Sequence, residues 1–388
     1  MGEPIKIALV GVGNCAAALL QGLEYYRHNP EDTLGLMHKA LCGYLPSDIR
    51  VVAAFDIDAR KVEKALEVAI NAKPNCIMPI WKELPHYGVT VKMGPVMDGV
   101  ASHMLDYPDD RAFRIAEASP VDVEQILRET EPDILLNYLP VGSEEAARYY
   151  ARCCLNTGVS FINCMPVFIV SDSDWAKKFL KRGIPVIGDD VKSQVGATIL
   201  HRTLARLFEE RGTRIERTYQ LNTGGNTDFL NMLERSRLIT KKQSKTRSVQ
   251  SQLKVPLADE NIHIGPSDYV PWQNDNKVCF IRMEARGFAG IPFELECRLS
   301  VQDSPNSAGV TIDAIRYCKV ARDRHDAGAL LPIAAYCMKH PPVQMYDHEA
   351  RKLIEEYIHQ PSSESAEEEE NKTISIKKGK TLPFKSST

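Results

Sequence analysis

Residues 5–10, Ile-Lys-Ile-Ala-Leu-Val, form a short and nearly continuous apolar run, the texture of a strand buried on both faces. A helical pattern follows over 16–26, and a second apolar strand run lies at 51–55. The alternation continues with an amphipathic helix over 121–129, a strand over 134–138, a helix over 143–154 and a strand over 161–163. A helix over 175–181 and a strand over 185–188 complete this part. Strand and helix in turn predict a doubly wound α/β sheet, whose ligands sit in a crevice beyond the carboxyl ends of the strands.

After a helix over 197–210 the texture changes. Residues 215–222, 277–286 and 293–301 alternate with period two, as antiparallel strands covered on one face do, and a helix is predicted near 229–238. Helical patterns return at 311–322 and 330–338 and are expected to pack back on the first sheet. Beyond 361 the chain is rich in Ser, Glu and Lys, which predicts a disordered charged tail. The expected division is therefore 1–196 with 304–360 as one α/β unit, 197–303 as an inserted α+β unit, and 361–388 as the tail.

A chain of 388 residues can bury two such cores, and 44% hydrophobic with 26% charged residues is ordinary for a soluble enzyme. The net charge of -3 gives no electrostatic basis for nucleic acid or an anionic membrane as partner. No apolar run reaches the roughly 18 residues a bilayer span needs, and no signal sequence precedes Ile5. The ten cysteines form no Cys-x-x-Cys pair and read as free thiols of a reducing cytoplasm. The histidines lack metal-ligand spacing, so no metal site is expected from the residues.

Chemistry enters at Gly11-Val12-Gly13-Asn14-Cys15-Ala16, a Gly-x-Gly-x-x-Ala turn between a strand and a helix. Gly11 permits the tight turn, Gly13 lets the backbone approach a pyrophosphate, and the helix start at Asn14 and Cys15 faces the anion. The second strand ends at Asp56, where a carboxylate can accept from ribose hydroxyls and favours NAD over NADP; an insert over 28–48 lengthens the gap. This is a Rossmann-type fingerprint. Ser143, Asn163 and Asp190 follow strand ends and should gather at the same crevice.

Lys241 and Lys245 are four apart and share a face if helical, a pattern that alone describes a solvated basic face equally well. The loop 222–228 carries Gly224 and Gly225, whose amides could form an anion nest, with Asn226 and Asp228 as directed polar groups; an ordinary hairpin turn is the plain alternative. Lys277, Ser193, Asp303 ahead of a helix, and Lys339 at a helix end complete the candidates. No Gly-x-Ser-x-Gly or Cys/His pairing suggests a covalent nucleophile. Spacing alone names no substrate.

Taken together, residues 11–15, 139–144, 188–198, 220–233, 241–246, 265–269 and 303–309 resemble the myo-inositol-1-phosphate synthases (inositol-3-phosphate synthases). The likeness covers about 5–358 and is nearest to the shorter bacterial and archaeal members. The resemblance implies a tightly held NAD and a redox-neutral conversion of D-glucose 6-phosphate to 1D-myo-inositol 3-phosphate. Its steps are oxidation at C5, enolisation, closure of C6 on C1, and reduction at C5. By motif it implies Lys241, Lys245, Lys277 and Lys339 as catalytic lysines, with Asp190, Asn226, Asp228 and Asp303 as polar partners. Lys277 and Lys339, oriented by Asp303, would handle the C5 and C1 oxygens, Lys241 would act beside the nicotinamide, and Lys245, Ser193 and the glycine loop would hold phosphate or cofactor. It further implies a homotetramer joined through the α+β unit; branches differ in whether a divalent metal or a monovalent cation assists. An ordinary NAD-dependent dehydrogenase would need one acid/base residue rather than four lysines, and a dinucleotide-sensing scaffold would leave the lysines unexplained.

Overall fold

The computed structural model describes residues 3–360; the expected tail lies outside them. The first half runs β1 (Ile5–Val10), α1 (Asn14–His28), β2 (Ile49–Asp56), α2 (Leu66–Ala69), β3 (Lys92–Met93), α3 (Val123–Thr130), β4 (Ile134–Asn137), α4 (Glu144–Thr157), β5 (Ser160–Asn163), α5 (Ser173–Lys181) and β6 (Pro185–Ile187). Then come α6 (Ala197–Glu210), β7 (Arg214–Gly224), α7 (Thr227–Asn231), α8 (Ile239–Gln250), β8 (Ile262–Tyr269), β9 (Asn276–Arg286), β10 (Pro292–Gln302), α9 (Asp303–Asp323), β11 (Gly328–Ala329), α10 (Leu331–Cys337) and α11 (Asp347–His359).

Seven strands form one parallel sheet in the order β11-β6-β5-β4-β1-β2-β3. The direction of winding reverses between β1 and β4, the point where open α/β sheets bind their ligands. Strand β1 is buried except at Lys6, because helices cover both faces, and the long α9 lies against α1 with most of its side chains buried. Helix ends follow local chemistry: Asp122 and Asp172 accept from backbone amides at the starts of α3 and α5, and Gly158 ends α4 at φ +79°. The insert over 28–48 is anchored rather than loose, since Arg316 on α9 donates to the carbonyls of His38 and Lys39 at 2.8 and 3.0 Å.

The second sheet runs β10-β9-β7-β8. The pairs β10/β9 and β9/β7 are antiparallel as expected, but β8 joins β7 in parallel and was not foreseen. Gly265 and Pro266 interrupt its sequence pattern, which is why period two fails to show it. Helices α6 and α8, with Leu253 just beyond α8, cover one face through Ala205, Phe208 and Val249 against Ile281, Met283 and Ala285. The other face leaves Phe280 and its cross-strand neighbour Leu221 exposed. The helix expected over 229–238 is instead the five-residue α7 and a 3-10 turn, and the helix α11 was not predicted although Ala350, Leu353, Ile354, Tyr357 and Ile358 recur at helical spacing.

Candidate active site

At the switch point Gly11 adopts φ +89°, and a Cβ there would lie 2.5 Å from the Tyr138 carbonyl oxygen at the end of β4. Only glycine lets the first turn close against the neighbouring strand. A Cβ on Gly13 would meet nothing within 4 Å, so this turn opens onto free space at the start of α1. Asp56 leaves β2 with one carboxylate oxygen accepting from the Val12 amide at 2.7 Å and the other from the Ile57 and Asp58 amides. Asn75 and Cys76 fasten the loop from outside: Asn75 donates to the Val12 carbonyl at 3.1 Å, and the Cys76 amide donates to Asn14 Oδ1 at 2.8 Å. A glycine cradle with open space before a helix N-terminus, beside a strand-end carboxylate, fits a dinucleotide. Burial pushes the Cys15 thiol up to about 12, so it is a neutral wall here.

The turn forms one side of a cleft of about 1020 Å³ of empty space, lined also by Asp190, Ser193, Asn226, Asp228, Asp303 and all four lysines. Lys241 comes from α8, and its Nζ lies 2.8 Å from Asp228 Oδ2. Lys277, on β9, lies 3.1 Å from Asp303 Oδ1 at the start of α9. Lys339, just past α10, donates to Asp190 Oδ1 at 2.8 Å and to the Val191 carbonyl at 2.7 Å. The other Asp190 oxygen accepts from Ser244 Oγ at 2.5 Å, so α8 and the Lys339 segment meet on one carboxylate. Asp190 sits at φ +64°, a conformation costing a non-glycine residue about 1–3 kcal/mol.

Lys245 differs from the other three. It is 5% exposed and no carboxylate lies within ion-pair distance among the described residues. Burial first, then the neighbouring Lys277, Lys241 and Lys339, hold its amine well below the usual lysine value. Burial opposes the charge on Asp190 and Asp303 too. There the adjacent ammonium groups win, Lys339 and Lys241 at Asp190 and Lys277 at Asp303, and both carboxyls fall below their usual range. For Lys241 the carboxylates of Asp228 and Asp190 outweigh burial and raise it.

Three expectations need correction. Asp303 pairs with Lys277, and the partner of Lys339 is Asp190, because the Lys339 amide also donates to the Asp190 carbonyl at 2.7 Å and Asp189 and His340 exchange backbone bonds beside it. The glycine loop does not offer a free nest: the Gly225 amide donates to the Asn274 carbonyl, and a Cβ there would lie 2.4 Å from the Val270 oxygen. Those glycines serve close packing. Asn163 is fully buried, bonded to Asn137, Val167 and Asp189 behind the cleft. Ser143 is also buried apart from the cleft lining, beneath Arg237, which donates to the Val141 carbonyl at 2.9 Å. Sequence reasoning passed over Ser304 and Ser307, which line the cleft from the first turn of α9, and Asp275 behind it. The run Asp303-Ser304-Pro305-Asn306-Ser307 contained the first two but reads as a simple helix cap.

Residues 196–304 match the sequence model of the family described as myo-inositol-1-phosphate synthase. Over 360 residues the chain is 51% identical to the inositol-3-phosphate synthase of Mycolicibacterium smegmatis, covering 91% of this chain and 98% of that one. It is 50% identical over 361 residues to the inositol-3-phosphate synthase of Corynebacterium glutamicum, with coverage of 91% and 98%. Among solved structures, a myo-inositol-1-phosphate synthase-related protein from Thermotoga maritima shares the fold at a TM-score of 0.77 and 22% identity, covering 93% of this chain and 100% of that one.

Proposed function

Because the chain belongs to the myo-inositol-1-phosphate synthase family, we infer that it converts D-glucose 6-phosphate to 1D-myo-inositol 3-phosphate by a redox-neutral cyclisation. NAD bound at the Gly11–Gly13 turn, with Asp56 on its ribose, supplies the acceptor and then the donor of one hydride at C5. Everything else falls to the side chains of the cleft.

One observation carries the assignment of roles: four lysines share three carboxylates, leaving the Lys245 amine without a counter-ion among the described residues. The phosphate of the substrate is the counter-ion we assign to it, with Ser193 beside it. Lys277 and Lys339 handle the C5 and C1 oxygens: one takes the O5 proton as the ketone forms and returns it when C5 is reduced, and the other gives O1 a proton as the ring closes, replaced by the proton lost from C6. Their carboxylates, Asp303 and Asp190, keep each lysine aimed, so the closing alkoxide forms within a fixed cationic site. Lys241, aligned by Asp228 and so by Asn226 at the cap of α7, stabilises charge beside the nicotinamide. With the 5-ketone formed, C6 is acidic enough for enolisation within this cationic wall. A dehydrogenase that stops at the ketone has no use for so many cations.

In this reading 1–196 with 304–360 bind the nucleotide, and 197–303 carry catalysis and the contacts of a homotetramer. Phe280 and Leu221 on the uncovered sheet face support that contact surface, and sedimentation at micromolar concentration tests it. All ten cysteines are unpaired, which supports action in the cytoplasm; among the described residues no helix is long and apolar enough to cross a membrane. The test of the reaction is incubation with glucose 6-phosphate and catalytic NAD, following NADH absorbance and phosphorus NMR. Inositol phosphate forming without accumulated NADH is the expected result. Stoichiometric NADH, or a product that keeps a ketone, overturns the reading.

A further inference from the structure

Asp275, in the turn before β9, is 1% exposed and does not line the cleft, yet it receives three donors from the two segments that do. Asn226 Nδ2 donates to its Oδ1 at 2.9 Å, Ser304 Oγ to the same oxygen at 2.8 Å, and the Ser304 amide to its Oδ2 at 2.9 Å. Its own carbonyl accepts from the Asp303 amide at 3.0 Å. We propose that Asp275 is a positioning residue that sets two of the lysine–carboxylate pairs in register with each other.

Both arms can be followed atom by atom. Through Asn226, whose Oδ1 accepts from the Asp228 amide at 3.0 Å and the Phe229 amide at 3.2 Å, Asp275 fixes the start of α7 and hence Asp228 against Lys241. Through Ser304 and the Asp303 amide it fixes the start of α9 and hence Asp303 against Lys277. Lys277 lies two residues further along the same chain segment, so Asp275 orders both members of that pair. Cys15 Sγ lies 4.0 Å from Ser304 Oγ, which brings this chain of contacts up to the dinucleotide turn. A carboxylate is the one side chain of this size that accepts from every direction. An amide would set its own NH2 against one of three donors. Retaining a carboxyl here has a cost: burial and the nearby Asp303 push Asp275 up to about 6.

The proposal rests on the reading of the cleft as a cyclising active site, so wild-type turnover of glucose 6-phosphate is measured first; its failure removes that reading and not the geometry of Asp275. In the same assay Asp275→Asn is expected to lower kcat about 100-fold, the scale of a misplacement near 1 Å. NAD affinity and KM for glucose 6-phosphate should stay within about threefold, and a well-defined melting transition should remain. A residue that merely supports the fold would move KM and NAD affinity together with kcat, which would overturn the proposal, as would unchanged kcat. Ser304→Ala removes one donor and is expected to cost about tenfold in kcat on its own, but little more in the Asp275→Asn background. Should Asp275→Asn fail to fold, Ser304→Ala and Asn226→Ser carry the test: each must lower kcat at constant NAD affinity, and normal kcat in both overturns the proposal.

Discussion

Two substitutions of neighbouring lysines should move stability in opposite directions while both abolish turnover. Lys339→Met strands a buried carboxylate: Asp190 loses a partner at 2.8 Å and keeps only Ser244 in direct contact, with Lys241 further off. Breaking a buried pair from one side costs about 3–5 kcal/mol, and the remaining neighbours put this site at the low end. Lys245→Met does the reverse. Lys245 has no carboxylate of its own among the described residues, so a methionine of similar length removes a penalised amine and should stabilise the free protein by about 1–3 kcal/mol. The sign can be checked by pH. Because the folded protein holds the Lys245 amine below 10.5, it binds fewer protons than the unfolded chain, and wild-type stability gains as pH rises toward 10.5. The advantage of Lys245→Met should therefore shrink between pH 8 and about 10. Urea unfolding at both pH values, without substrate or NAD, measures this. Equal destabilisation by the two variants would refute the idea that Lys245 is the uncompensated charge of the cleft.

Further predictions concern the cofactor turn and the second sheet. Gly13→Val should melt like the wild type, since its Cβ meets nothing within 4 Å, yet bind NAD at least about tenfold more weakly; retained affinity would exclude this turn as the cradle. Gly11→Ala should lose about 1–3 kcal/mol from its φ of +89° alone, and more from the contact with Tyr138. Asp56→Ala leaves the Val12 amide without its acceptor and should weaken NAD about tenfold in an equilibrium titration, narrowing the preference over NADP. His201, buried beneath the second sheet with Thr218 at 2.8 Å, is pushed down by burial to about 4. Its folded value lies below the unfolded 6.5, so stability is lost as pH falls below 6.5. His201→Gln should lose about 1 kcal/mol less than wild type between pH 7 and pH 5.5, measured by urea unfolding.

How far the chain could be read beforehand depended on whether a feature was local. The parallel sheet was legible because strands covered on both faces leave apolar runs, and the glycine turn because Gly11 must approach Tyr138 whatever else the chain does. Strand β8 was hidden by Gly265 and Pro266, whereas α11, with Ala350, Leu353, Ile354, Tyr357 and Ile358 at helical spacing, was legible and overlooked. The lysines themselves stood out, but their partners did not. The bonded carboxylates lie 13, 26 and 149 positions away, separations set by two sheets and three helix ends. Assigning Asp303 to both Lys277 and Lys339 was the natural error, because nothing in spacing ties Lys339 to Asp190. Glycines misled in the same way: Gly225 has the composition of an anion nest and the geometry of a packing contact. Asp275 shows the limit most plainly. Between Asn274 and Asn276 it has the sequence of an ordinary turn, and only the convergence of Asn226 and Ser304 on its two oxygens gives it work to do. A cleft whose cations must be aimed, rather than merely present, depends on such buried acceptors, and their identity is a property of the folded chain.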